Sequence, residues 1–317
     1  MYGHQVVDDF NDLLKKQIKD QGYFQAVKSA VESIKQAQHF HLGSFDELIQ
    51  PLRSFKEEQK ETQVFLGRCS NYIRLPYKSC WFEFEDKSFT PGVTMPVPKR
   101  GLLVDELDND LLRVVICNWA EPWRKWALNP QSYLVLVGKT FGDDFERTGR
   151  AVSAAANERK APPNIIDWLM RSNTFPIQAT DKLSWNDSIE CRGDDQRDLF
   201  ALNAALLLLN CKNIETEDNL PPPKLNKKRL KNGKQELFIY KTLTLKLPST
   251  RQTSHSDADA TDKKIKIHLC RGHFKVFSED APLFGKHTGL YWWDPHVRGD
   301  KTEGLLVKDY TIRTNRY

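Results

Sequence analysis

Three C-terminal segments each carry a pair of polar side chains spaced two residues apart. In "IHLCRGHF" (Ile267 to Phe274) the pair is Arg271 and His273. In "WWDPHVRGD" (Trp292 to Asp300) it is His296 and Arg298, and in "LLVKDY" it is Lys308 and Tyr310. Side chains on a strand alternate between faces, so positions two apart point the same way. If the three pairs met, they would form a pocket with two imidazoles, three cations and a phenol. That inventory suits cleavage of RNA without a metal. A base takes the 2′-OH proton, an acid protonates the departing 5′-oxygen, and cations steady the charge on phosphorus. Histidine, with an ordinary pKa near 6.5, can serve as either base or acid. Arginine offers a planar fork to phosphate oxygens. Trp292 and Trp293, with Tyr291 beside them, offer rings on which an unstacked base could rest.

The same residues have a plainer structural reading. Arg271 could pair with Asp294 or Asp309, Gly272 could mark a bulge, and "WWDP" could be core followed by a turn. A metal site is not expected. His268 and His273 are five apart, on opposite faces of a regular strand, and there is no Cys-x-x-Cys or His-Glu-x-x-His to add ligands. With no Walker loop, Rossmann fingerprint or Gly-x-Ser-x-Gly either, no cofactor is expected.

A second feature is electrostatic. The formal net charge of +5 is only mildly basic, but "PPPKLNKKRLKNGK" gathers cations without an acid. Lys227, Lys228 and Arg229 lie at its centre, and they read either as a solvated linker after a proline brake or as an arm that contacts phosphates. In "NWAEPWRKW" (Asn118 to Trp126), aromatics and cations read as a loop or as a tryptophan-rich edge of the core.

The elements that must position these groups follow from periodicity. Helical spacing runs through Phe10, Leu13, Leu14 and Ile18 and then Phe24, Val27, Val31 and Ile34, with a break at Gly22. "GSFDELIQPLRSF" predicts another helix, with Ser44 as N-cap and Glu47 completing a capping box. "NYIRLPYKSCWFEFE", "GLLVDEL", "LLRVVICNW" and "SYLVLVG", rich in branched and aromatic residues, predict strands. "DDFERTGRAVSAAANERK", "PPNIIDWLMRS" and "DDQRDLFALNAALLLLNCKN" predict helices, the last apolar nearly all round and therefore buried, with its acids capping the N-terminal end. A second set of strands, "ELFIYKTLTLKL", "KKIKIHLCRGHFKVF", "GLYWWDPHV" and "GLLVKDYTIR", closes the chain, after a polar loop "PSTRQTSHSDADATDK".

The expectation is therefore an α+β fold. It has a helical N-terminal segment, a mixed or antiparallel sheet, central helices and a C-terminal antiparallel sheet of about four strands. A division near residue 195 would separate 1–195 from 196–317, although all strands could join one sheet. No apolar run is long enough to cross a bilayer. The N-terminal segment lacks the basic-then-apolar order of a secretory signal, and the six cysteines are scattered, so a reducing cytoplasm is expected.

From about residue 200 onward, "LFIYKTLTL", "IHLCRGHF", "PLFGKHTGLYWWDPHVRGD" and "GLLVKDYTIR" resemble a recurrent family of uncharacterised proteins of bacteriophage and prophage genomes. The resemblance implies a phage or mobile-element setting, in the cytoplasm of a bacterial host, and no particular chemistry. Helices followed by an antiparallel sheet carrying His, Arg and Tyr also look, in architecture, like the metal-independent ribonuclease toxins of the barnase and RelE type. Two functions follow as expectations. One is a protein that binds or cleaves nucleic acid, RNA before DNA. The other is a non-enzymatic accessory protein that binds a host or phage protein, for example to inhibit a defence system.

Overall fold

The computed structural model describes residues 2–16, 18–46, 48, 73–86, 97–108, 111–137, 174–178, 185–245, 266–270, 273–293, 296–298 and 300–305. Two helices, α1 (Gly3–Leu14) and α2 (Gln21–Gln36), precede the first strand. They are separated before Gly22: Asp20 caps α2, accepting from the Tyr23 amide at 3.0 Å, and Gly22 lies inside its first turn. The strand β1 (Gln38–Ser44) runs through Ser44, the position expected to cap a helix. Helical geometry starts only at Phe45. Two buried residues, His39 and Phe40, hold this short stretch between neighbouring strands, which its own length and composition did not announce.

The strands β2 (Ser79–Glu85), β3 (Lys99–Asp108), β4 (Leu111–Ala120), β5 (Lys125–Leu136) and β6 (Thr174–Gln178) form an antiparallel meander. The segment 118–126 closes the β4–β5 hairpin, its ends paired in the strands: Trp126 is buried, and Trp123 stands 68% exposed in the turn. β1 adds in parallel to β2, and β8 (Tyr240–Leu245) adds in parallel to β1, with β7 (Ile214–Asn219) antiparallel on the edge. The sheet thus has eight strands in the order β6-β5-β4-β3-β2-β1-β8-β7. The acidic edge strand β7, with Glu215, Glu217 and Asp218 exposed, has no hydrophobic alternation and escapes a pattern search.

One face of the sheet packs α1 and α2, where Val6, Val7, Phe10, Val31 and Ile34 meet Trp81, Leu103 and Trp126. The other face packs α3 (Trp185–Leu209) through Leu199, Leu202, Leu206 and Leu207 against Phe82, Leu102, Leu112 and Tyr133. The buried central helix expected from its leucines is therefore present. It begins ten residues before Asp195, however, so Asp195 and Asp198 are not caps. Both are buried and face the sheet, where Asp195 accepts from Asn129 and Tyr133 and Asp198 pairs with Arg100 at 2.7 Å. Residue 195 falls inside this helix, and the sheet takes strands from both sides of it. Gly101, on β3, allows the Trp81 ring to lie across it; a methyl group there would fall 2.2 Å from the indole.

The basic run folds as α4 (Pro223–Lys231), entered through prolines at its first turn. The C-terminal segments form β9 (Lys266–Cys270), β10 (His273–Phe277), β11 (Gly289–Trp293), β12 (His296–Arg298) and β13 (Asp300–Leu305). β10 and β11 pair antiparallel, while β9 pairs with β12 antiparallel and with β13 in parallel. The overall class is α+β, as the periodicity implied. The two helices expected within 143–172 and the polar loop "PSTRQTSHSDADATDK" lie outside the described residues.

Candidate functional site

The C-terminal ribbon docks on the end of α3. Asn213 holds Trp292 at both its main-chain groups, donating to the carbonyl at 2.6 Å and accepting from the amide at 3.0 Å. The Lys212 amide donates to the Leu290 carbonyl at 2.9 Å. Phe274, Leu290 and Trp292 are buried in the core, which turns these members of the even-numbered row of β10–β11 inwards, while Val276 stands 42% exposed. Trp292 is therefore a core residue and not a stacking surface for a base, a correction that follows from the pleat: its neighbour Trp293 takes the opposite face.

The odd-numbered row faces outwards. The register sets Lys275 opposite Tyr291, Phe277 opposite Gly289 and His273 opposite Trp293. Phe277, Tyr291 and Trp293 pack ring to ring with centroids 5.7 to 6.1 Å apart, each half-buried, and Lys275 lies with its ammonium 5.1 Å from the Trp293 ring. Lys212 crosses the far end of this row; a Cβ at Gly289 would lie 3.4 Å from its Cε. The result is an aromatic surface bracketed by two exposed cations. Of this row the sequence reading named Tyr291, Trp293 and His273, and missed Lys275, Phe277 and Lys212. The period-two pattern Lys275, Phe277 against Tyr291, Trp293 was the available signal. The arrival of Lys212 from another element had none.

The expected convergence of three polar pairs is only partly addressed. Arg271, Lys308 and Tyr310 lie outside the described residues. His296 and Arg298 fall in β12, opposite Cys270 and His268. Lys227 and Lys228 are exposed on α4. Arg229 is not a free phosphate contact: its guanidinium pairs with Asp8 at 2.6 Å and donates to the Gln235 carbonyl. That tie anchors α4 to α1.

Two buried polar clusters have structural roles. α1 has no side-chain cap of its own, and the β2 carboxylate of Glu83 supplies one, accepting from the amides of Tyr2 and Gly3 at 2.6 and 3.1 Å and from the Trp81 indole at 3.0 Å. Burial opposes the charge on Glu83. His41, 3.4 Å away, and these donors outweigh it and hold the carboxyl down at about 2. His39 donates a ring N–H to the Ile34 carbonyl and stacks on Phe238; burial lowers it to about 4. Burial raises Asp198 to about 6 despite its Arg100 partner, in the second cluster, which fastens α3 to the sheet. Among the described residues, no group of three or more potential ligands is placed to hold a metal ion. Nor, among the described residues, is any helix long and apolar enough to cross a membrane.

No protein-family model, curated protein or solved structure matches this chain.

Proposed function

We propose that the chain binds single-stranded nucleic acid, RNA ahead of DNA, in a phage or mobile-element setting. The β10–β11 ribbon would be its stacking platform. The observation that carries the reading is the outward row in which Phe277, Tyr291 and Trp293 touch one another beneath the ammonium of Lys275. An aromatic trio on a rigid, core-docked ribbon would lose little entropy on binding and accept any base, while Lys275 and Lys212 meet the phosphates. Unpaired bases are the form in which RNA loops and ends offer themselves, and a duplex keeps its bases out of reach. Cleavage is the further step that His273 and His296 would supply as acid and base. The 2′-oxygen would attack phosphorus, its proton would pass to one imidazole, and the other imidazole would protonate the departing 5′-oxygen.

Fluorescence anisotropy with a labelled single-stranded RNA of about ten nucleotides, its DNA counterpart and an RNA duplex tests the reading. Saturable binding to the single strands that weakens with salt supports it. Each phosphate contact should contribute a slope of roughly −0.7 in log affinity against log salt. Absence of binding at low salt, or equal binding to the duplex, overturns it. Incubation of the same RNA tests the catalytic step: cyclic phosphate ends that disappear in His273→Ala support it, and intact RNA rules it out.

A further inference from the structure

A second charged surface is built into α4. Lys224, Lys227, Lys228 and Lys231 follow one another at helical spacing, so they fall within about 100° of one face. All four are exposed and α4 holds no acid; among the described residues none of the four has an ion-pair partner. Like charges at that spacing oppose helix formation, so the stripe works against the fold rather than for it. The opposite side of α4 fixes it to the body. Arg229 pairs with Asp8 at 2.6 Å and donates to the Gln235 carbonyl at 2.6 Å. Asn226 accepts from the Leu237 amide at 2.8 Å and donates to the Leu237 carbonyl at 3.3 Å. The groove that Asn226 and Glu236 line belongs to this anchored side, and no lysine of α4 lines it. Asp8 is engaged by Arg229, and Asp218, the β7 acid closest to α4 in the chain, by Lys241 at 2.5 Å. The lysines thus project from a preorganised helix as one positive edge.

The chemistry of this edge selects its occupant. From 220 to 237 the chain has no aromatic residue, so the surface offers charge without a ring on which an unstacked base could rest. Its cations are lysines, point charges on flexible stems that impose no bidentate geometry, and the one arginine is turned inwards to Asp8. Leu225 and Leu230 flank the stripe and do not lie on it, so a bilayer would meet charge where it needs apolar side chains. A ligand with dense charge outside and its bases hidden matches all of these. We infer that the lysine stripe of α4 is a sequence-independent contact for the phosphate backbone of double-stranded nucleic acid. Lys224 and Lys231 are about 10 Å apart along the helix axis, and one strand of a duplex advances about 3.4 Å per phosphate, which allows about three contacts. This surface is separate from the ribbon, and its assignment does not rest on the single-strand reading.

Fluorescence anisotropy of the full chain with two labelled duplexes of unrelated sequence tests this inference. Both should bind alike, more weakly than the single strand, with a slope of roughly −3 in log affinity against log salt. That slope is a loss of about fortyfold between about 50 and 200 mM salt. The paired reversal Lys227→Glu with Lys231→Glu should abolish duplex binding and leave single-stranded RNA bound. Trp293→Ala should weaken the single strand and spare the duplex, so either reading can fail alone. Replacing all four lysines by glutamine removes charge without reversing it and should flatten the salt dependence, with circular dichroism verifying that both α4 variants fold. The inference is overturned if neither duplex binds at low salt, if the two sequences bind differently, or if the reversal leaves duplex binding unchanged or removes single-strand binding with it. It is overturned equally if polyglutamate, or vesicles of phosphatidylcholine and phosphatidylserine, displace the duplex at the same concentration of negative charge.

Discussion

The ammonium of Lys275 stands 5.1 Å from the ring centroid of Trp293, on the outward face of a ribbon whose inward face carries Trp292 into the core. Two adjacent tryptophans thus do opposite jobs. Trp293→Ala should weaken single-stranded RNA binding by about one to two powers of ten, the loss of one stacked base at roughly 1–3 kcal/mol, with little change in unfolding. Trp292→Ala should instead cost about 3–5 kcal/mol of stability by leaving a core cavity. Anisotropy and urea unfolding, run on both variants, give the comparison. Equal effects of the two on binding, with both folded, would refute the assignment of faces.

Glu83 reaches from mid-sheet to cap α1. In Glu83→Gln the two helix amides and the indole lose an ionised acceptor, and the new amide must find another partner. The expected cost is about 2–3 kcal/mol. Hydrogen exchange should show α1 losing protection ahead of the sheet. A variant that exchanges uniformly would show that the carboxylate is not what seats the helix.

The pH dependence has two opposed parts. His39 and His4 are both lowered to about 4, mainly by burial. Their contribution is complete above the ordinary value near 6.5 and is lost as pH falls through about 4, up to about 3 kcal/mol each. Asp198, raised to about 6, acts in the other direction: its contribution is present below its ordinary value near 4 and is lost as pH rises through about 6. Urea midpoints between about pH 4 and 7 should therefore fall on acidification, less steeply in His39→Gln and more steeply in Asp198→Asn. Curves parallel to that of the native protein would contradict these protonation states.

Gly101 lies opposite Glu83 and beneath Trp81. Gly101→Ala places a methyl 2.2 Å from the indole, and Trp81 is anchored by its hydrogen bond to Glu83, so the ring cannot swing freely away. A loss of about 1–3 kcal/mol is expected. Trp81→Leu should make the same alanine nearly harmless, which a double-mutant cycle would record as coupling. Strict additivity would mean that the clash is relieved elsewhere.

Much of the fold was legible because its signals are local. Branched and aromatic residues in "NYIRLPYKSCWFEFE" and "LLRVVICNW" announce β2 and β4, the first at the end of its stretch, where successive side chains are buried. The leucines of α3 announce a buried helix without any knowledge of what covers it. "QHFHLGS" and "IETEDN" carried no such announcement. β1 is a strand because β2 and β8 flank it, and β7 because β8 does. The prolines before α4 are plain in the sequence, but that they stand where the β7–β8 ladder ends depends on which strand lies opposite.

What the sequence determined by itself was therefore the inventory: strand and helix periods, a basic run without acids, and rings and imidazoles at a spacing of two. The tertiary structure decided which of two adjacent tryptophans meets water. It also set Arg229 against Asp8, removing it from the basic run, and brought Lys212 to a ribbon more than sixty residues later in the chain. The division has a simple physical origin. Periodicity is fixed by the geometry of one chain segment, whereas burial, pairing and protonation depend on groups brought close only when distant segments exclude water together.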